Sequence, residues 1–213
     1  IVVMLVTKAL LFDLDGTILD TRDFIFSAFE HSLTYHGLPV PSREIIAKYV
    51  CLPFEQCYFH LTNQTDTKKF HEAHRDFQIK NPQLSNLFPK AKETLSALKN
   101  KGYKMGVVTS RYKITVLESL RRAELENFFD VVIFGDDFTN LKPHPEPVLK
   151  AMEKINVFAS ESVMIGDTDT DVEAGKNAGT KTVRATYGFN TERLHETNPD
   201  FIINDISEIL NIF

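Results

Sequence analysis

No tryptophan occurs in the 213 residues, cysteine occurs only twice, and no apolar run is long enough to cross a bilayer. Lys and Arg number 24 against 29 Asp and Glu, a net charge of −5, and they form no run able to track a phosphate backbone. A nucleic-acid duplex and a membrane are therefore excluded as main partners. Cys51 and Cys57 are too few for a disulfide framework and are not spaced as a C-x-x-C pair. They read as thiols in a reducing compartment, so a cytoplasmic location is expected. The apolar start Ile1–Val6 has no basic region ahead of it and is soon interrupted by Lys8 and Asp13, which fits neither a signal peptide nor a membrane span. Met4 is a candidate start, with Ile1–Val3 extra to it.

Glycine is scarce and uneven. Of nine glycines only Gly37 falls between Ile18 and Phe88, a stretch that also holds five of the seven histidines and eleven of the 23 aromatic residues. Gly destabilises helix interiors, so this stretch reads as a helical unit. Asp20 is placed to cap a first helix whose apolar face is Ile25, Ala28, Phe29 and Leu33, with Pro39-Val40-Pro41 ending it. Phe24 and Phe26 fall off that face. Ser42 offers a second cap, and residues 66–80 read as a further helix closed by Asn81-Pro82. His71 and His74 share a helix face, but two ligands do not make a zinc site.

The remainder alternates between short β-rich runs and helical patterns. The runs are Lys8–Phe12, Lys104–Thr109, Val131–Phe134, Ser162–Gly166 and Lys181–Arg184. Helical spacing is clearest at Val148, Ala151, Met152, Ile155 and at Ile206, Ile209, Leu210, Phe213. Near-continuous apolar strands with intervening helices predict an α/β fold, a doubly wound, Rossmann-like parallel sheet covered on both faces. The expected domains are a core of residues 1–17 and 89–213 and a helical insert of residues 18–88.

Ligands of such sheets bind at the carboxyl ends of the strands, and reactive groups stand there. Asp13 and Asp15 follow the first strand, two apart, so both carboxylates can face one side, and Gly16-Thr17 permits a tight turn whose amides converge on an anion. Thr109-Ser110 offers hydroxyls at a second strand end, and Lys142 precedes a proline-opened helix. Gly166-Asp167-Thr168-Asp169-Thr170-Asp171 suggests a site for a hard cation. Counted from Asp167, an EF-hand would need Gly where Val172 stands and Glu where Ala178 stands, so Mg²⁺ fits better than Ca²⁺. Asp169 reads as a solvated or capping side chain.

In order and spacing, Asp13-Leu-Asp15-Gly-Thr17, Thr109, Lys142-Pro143 and Gly166-Asp167-x-x-x-Asp171 resemble the four motifs of the haloacid dehalogenase-like phosphohydrolase superfamily. The resemblance covers nearly the whole chain, and residues 18–88 resemble that superfamily's small helical cap domain. Lys101–Thr109, Phe129–Val132, Lys142–Met152 and Ala174–Thr182 are similar to the phosphoglycolate phosphatase and PpaX-type pyrophosphatase branch. One departure is Cys51, which stands where that branch usually has Gly.

The resemblance implies a Mg²⁺-dependent phosphatase acting on a small phosphorylated metabolite, phosphoglycolate or pyrophosphate-like. Asp13 would be the nucleophile, forming an aspartyl-phosphate, and Asp15 the general acid and base. Gly16, Thr17, Thr109, Ser110 and Lys142 would bind phosphate. Mg²⁺ would be held by Asp13, the Asp15 backbone carbonyl and Asp167, with Asp171 outside the first shell or bridged by water. Arg22, Phe24, Phe26, Arg43, Lys48, Arg111 and Tyr112 are the candidates for substrate selection. Two alternatives stay open: a phosphomutase of the β-phosphoglucomutase type, and a catalytically silent binding or regulatory relative. Oligomeric state is not legible.

Overall fold

The computed structural model describes residues 6–50, 52–189 and 197–213. Ile1–Val3, Met4 and Cys51 lie outside the described residues. The chain divides into two compact units, Ile1–Asp20 with Asn86–Phe213, and Thr21–Ser85.

The first unit is built on a parallel sheet. Its strands are β1 (Ala9–Phe12), β4 (Lys104–Val108), β5 (Val131–Ile133), β6 (Ser162–Gly166), β7 (Lys181–Ala185) and β8 (Phe201–Ile203), in the order β5-β4-β1-β6-β7-β8. β1 is central and wholly buried because Ala-Leu-Leu-Phe is apolar on both faces. Alternate side chains serve opposite layers: Leu10 and Phe12 join one core cluster, Ala9 and Leu11 the other. The first cluster takes Ala91, Leu95 and Leu98 of α5 (Ala91–Asn100) and Val116 and Leu120 of α6 (Lys113–Arg122). The second takes Val148, Ala151, Met152 and Ile155 of α7 (Glu146–Ile155) and Ala174 of α8 (Asp169–Asn177). The doubly wound α/β sheet is therefore as expected from the sequence.

From β1 the chain continues outward through β4 to β5, then returns to β6 on the other side of β1. The order reverses at β1, which puts a crevice at the carboxyl ends of β4, β1 and β6. A short antiparallel pair, β2 (Leu19–Asp20) with β3 (Asn86–Leu87), completes this unit.

The second unit is helical: α1 (Arg22–Tyr35), α2 (Arg43–Ala47), α3 (Phe54–Thr62) and α4 (Lys68–Lys80). α1 packs on α4, and Phe29, Phe54, Tyr58, Phe70 and His74 form its aromatic centre. Within it the Tyr58 hydroxyl lies 3.0 Å from His74 Nδ1.

Several local expectations are corrected. Thr21, one residue beyond Asp20, takes the cap position of α1, and the Asp20 backbone pairs with Asn86. Phe24 and Phe26 are buried and Ile25 only half-buried, because α1 is covered over a wider arc than one stripe. α1 closes at Tyr35, ahead of Pro39. The helical pattern after Ile206 is a 3₁₀ helix, Ile206–Asn211, whose three-residue spacing buries Ile206 and Ile209 together.

Candidate active site

β1 delivers Asp13 to the crevice, with the Asp13 amide still in the ladder, 2.8 Å from the Ile165 carbonyl. The chain then turns at once: Gly16 N donates to Leu19 O at 2.8 Å and Leu19 N to Leu14 O at 2.9 Å. Gly16 is required twice over. Its φ is +85°, and a Cβ there would sit 2.3 Å from Asp167 Oδ2. Gly188 closes on the same carboxylate from another side, where a Cβ would stand 2.2 Å away. Asp167 thus occupies a cradle only glycines leave open.

Three carboxylates converge. One oxygen each from Asp13, Asp167 and Asp171 lies within 4.8 Å of the others, and all three residues are buried. Lys142 bridges two of them, with Nζ 2.6 Å from Asp13 Oδ1, 2.6 Å from Asp171 Oδ1 and 3.2 Å from the Val108 carbonyl. The loop carrying Lys142 is fastened from both directions. Glu146 accepts from Thr139 N, Asn140 N and Asn140 Nδ2, and Asn177 Nδ2 donates to the Pro143 carbonyl at 3.0 Å. Those bonds and Lys150 hold the Glu146 carboxyl down to about 2, Lys150 contributing most.

Electrostatics follow from burial. Burial pushes the Asp13 carboxyl well above the usual range; Lys142 opposes the rise and the charges of Asp171, Asp167 and Asp15 add to it. Asp167 is pushed up to about 7, by burial first and then by Asp171, against the Phe189 amide at 2.7 Å and the positive charges of Arg184 and Lys142. Burial works against the Lys142 charge too, but Asp13 and Asp171 more than offset it and hold the ammonium above its ordinary value. The cluster is a crowded, hard, all-oxygen donor set whose anions lack enough local positive charge. That chemistry fits a small divalent cation.

Asp171 is also built into α8. Thr168 and Asp171 form a capping box, Asp171 Oδ2 accepting from Thr168 N at 3.0 Å. Asp15 faces another partner: Arg111 Nη1 lies 2.8 Å from Asp15 Oδ1. Thr17 is buried, its hydroxyl 3.4 Å from Asp167 Oδ1. Thr109 is buried at the end of β4 and accepts from the Arg111 amide at 3.1 Å, whereas Ser110 is exposed.

In the helical unit, Arg22 and Lys48 are exposed and Phe24 is buried. Arg43 is committed to its own unit, 2.6 Å from Asp23 and 2.7 Å from Glu30. Asp169 is corrected from a solvated or capping group: it pairs at 2.7 Å with the fully buried Arg184 of β7. The residues Tyr187, Gly188 and Phe189 were not singled out by sequence, although they line this site. Tyr187 donates to the Thr17 carbonyl at 3.0 Å and the Phe189 amide binds Asp167. The signal available was a Tyr-Gly turn at one more strand end, that of β7.

A buried aspartate beyond the central strand, a lysine bridging it to an acidic cluster, and a doubly wound sheet define a haloacid dehalogenase-like hydrolase. Residues 10–185 match the model of that family, and the chain belongs to it. It stands in the phosphoglycolate phosphatase and PpaX-type pyrophosphatase branch. It is 36% identical over 211 residues to pyrophosphatase PpaX of Bacillus mycoides, covering 96% of each chain, and 36% identical to that of Bacillus anthracis over 212 residues, covering 96% and 95%. A predicted phosphoglycolate phosphatase from Haemophilus somnus 129pt superposes with a TM-score of 0.90 at 26% identity, covering 97% of both chains. No helix among the described residues is long and apolar enough to cross a membrane.

Proposed function

We propose that this chain is a Mg²⁺-dependent phosphatase of small phosphorylated metabolites, working through an aspartyl-phosphate on Asp13. The observation that carries the reading is the Lys142 ammonium 2.6 Å from Asp13, inside a buried cluster of three carboxylates.

In this reading Asp13, the Asp15 carbonyl and Asp167 hold the cation, with Asp171 beside them. A bound Mg²⁺ supplies charge that offsets repulsion between the carboxylates and a phosphate. One Asp13 oxygen forms a bond to phosphorus as the bond to the leaving oxygen breaks, and Asp15 gives that oxygen a proton. Asp15 then takes a proton from water as the water oxygen attacks phosphorus and the Asp13–phosphorus bond breaks, releasing inorganic phosphate. Lys142 and the Thr109 hydroxyl bind the phosphoryl oxygens, with Gly16, Thr17 and Ser110 contributing at the turns beside them.

Pyrophosphate is the first substrate to test, because the relatives at 36% identity are pyrophosphatases; phosphoglycolate is the second. The pyrophosphatase names of the relatives at 36% identity support water as acceptor over the second sugar phosphate of a mutase. The helical unit, in this reading a cap, chooses among such substrates, with Arg22 and Lys48 the first residues to substitute. A low cysteine count supports a cytoplasmic setting.

The test is phosphate release from pyrophosphate, phosphoglycolate, sugar phosphates and p-nitrophenyl phosphate, with Mg²⁺ and then with EDTA. Turnover that requires Mg²⁺ is expected for at least one of them. A folded protein that releases phosphate from none would overturn the reading.

A further inference from the structure

We propose that Arg111 is a positioning residue that fixes the Asp15 carboxylate for proton transfer; this rests on the phosphatase reading above. Asp15 lies on a turn, and a general acid must come within about 3 Å of the leaving oxygen to act. Arg111 meets it from the segment between β4 and α6. The pair is 2.8 Å long, with only 10% of the Arg111 side chain and 14% of the Asp15 side chain exposed.

Arg111 is itself anchored on α6. Nη2 donates to the Thr115 carbonyl at 2.9 Å and to Ser119 Oγ at 2.8 Å, and Nε to Thr115 Oγ1 at 3.4 Å. Its backbone is tied as well: the amide donates to Thr109 Oγ1 at 3.1 Å, and the carbonyl accepts from Gly135 N at 2.8 Å. One residue therefore links the proton-transfer group, the Thr109 hydroxyl just beyond β4 and a helix. The rigid guanidinium fork suits this task better than a flexible ammonium. Arg111 engages Oδ1 of Asp15, which assigns Oδ2 to the leaving oxygen. Four of the five guanidinium N–H groups go to Asp15 and α6, so its role is assigned through Asp15.

The experiment measures kcat/KM of wild type, Arg111→Met and Asp15→Asn on p-nitrophenyl phosphate, phenyl phosphate and an alkyl phosphate. The nitrophenolate leaves without a proton, whereas phenolate and alkoxide need one. Misplacing a catalytic group by about 1 Å costs on the order of a hundredfold. Arg111→Met is expected to lose about a hundredfold on the alkyl ester and less than tenfold on p-nitrophenyl phosphate, the same trend as Asp15→Asn. Added guanidinium ion is expected to restore part of the loss. Equal losses on all three esters, or no loss, would overturn the proposal and leave a structural clamp. If Arg111→Met does not fold, Arg111→Lys carries the same comparison. A wild type inactive on every ester would instead refute the phosphatase reading itself.

Discussion

Lys142 illustrates how a buried charge is kept. Its side chain is 6% exposed, and Asp13 and Asp171 sit on either side of it at 2.6 Å. Removing one partner of such a group leaves uncompensated buried charge, at a cost of about 3–5 kcal/mol. Lys142→Met is therefore expected to lower the thermal midpoint strongly and abolish turnover, checked by calorimetry and phosphate release. Asp13→Asn should differ. Burial already disfavours the Asp13 anion and Asp171 still pairs Lys142, so the midpoint should stay within a few degrees of wild type while turnover falls about a thousandfold or more. Residual activity within tenfold would reassign the nucleophile. The cluster of Asp13, Lys142, Asp167 and Asp171 was legible because the aspartates follow apolar runs and Lys142 stands just ahead of a proline-opened helix. The Asp169–Arg184 pair was not, because it depends on β7 lying beside β6, a pairing no local pattern reveals.

Among the elements, the strands were legible where both faces are apolar, as in β1, β4 and β6. α7 was equally clear, since its four periodic positions are all buried. The short pieces were not: β8 is three residues long, and α3 buries only Cys57 and Tyr58, too few for a readable stripe. The helical unit has its own acid sensitivity. Desolvation, then the neighbouring His71 and His31, lowers the buried His74 from 6.5 to about 3. A base depressed on folding contributes stability that is full above pH 6.5 and is lost as pH falls toward 3. His74→Phe, which suits the aromatic surroundings, should gain thermal stability relative to wild type as pH falls from 6.5 to 4.5, so its midpoint follows a different slope against pH. An unchanged slope would place the acid sensitivity elsewhere.

For the molecule as a whole, part of the net charge of −5 has an address in one buried cluster. Asp13 and Asp167 are carboxylates raised on folding, Asp167 from 3.8 to about 7. Without a cation they favour the folded state at low pH, and that contribution is lost as pH climbs from about 4 through 7. A cation that binds only the folded protein restores it and competes with protons. Mg²⁺ is thus expected to raise the thermal midpoint by several degrees at pH 7.5, by much less at pH 5, and not at all with EDTA. The central claim is that phosphate passes through Asp13, and the most direct measurement is a rapid acid quench during turnover followed by borohydride reduction and peptide mass spectrometry. The account predicts homoserine in place of Asp13, appearing only with substrate and Mg²⁺ and missing in Asp13→Asn. Reduction at a different residue, or none in an enzyme that turns over, would contradict it.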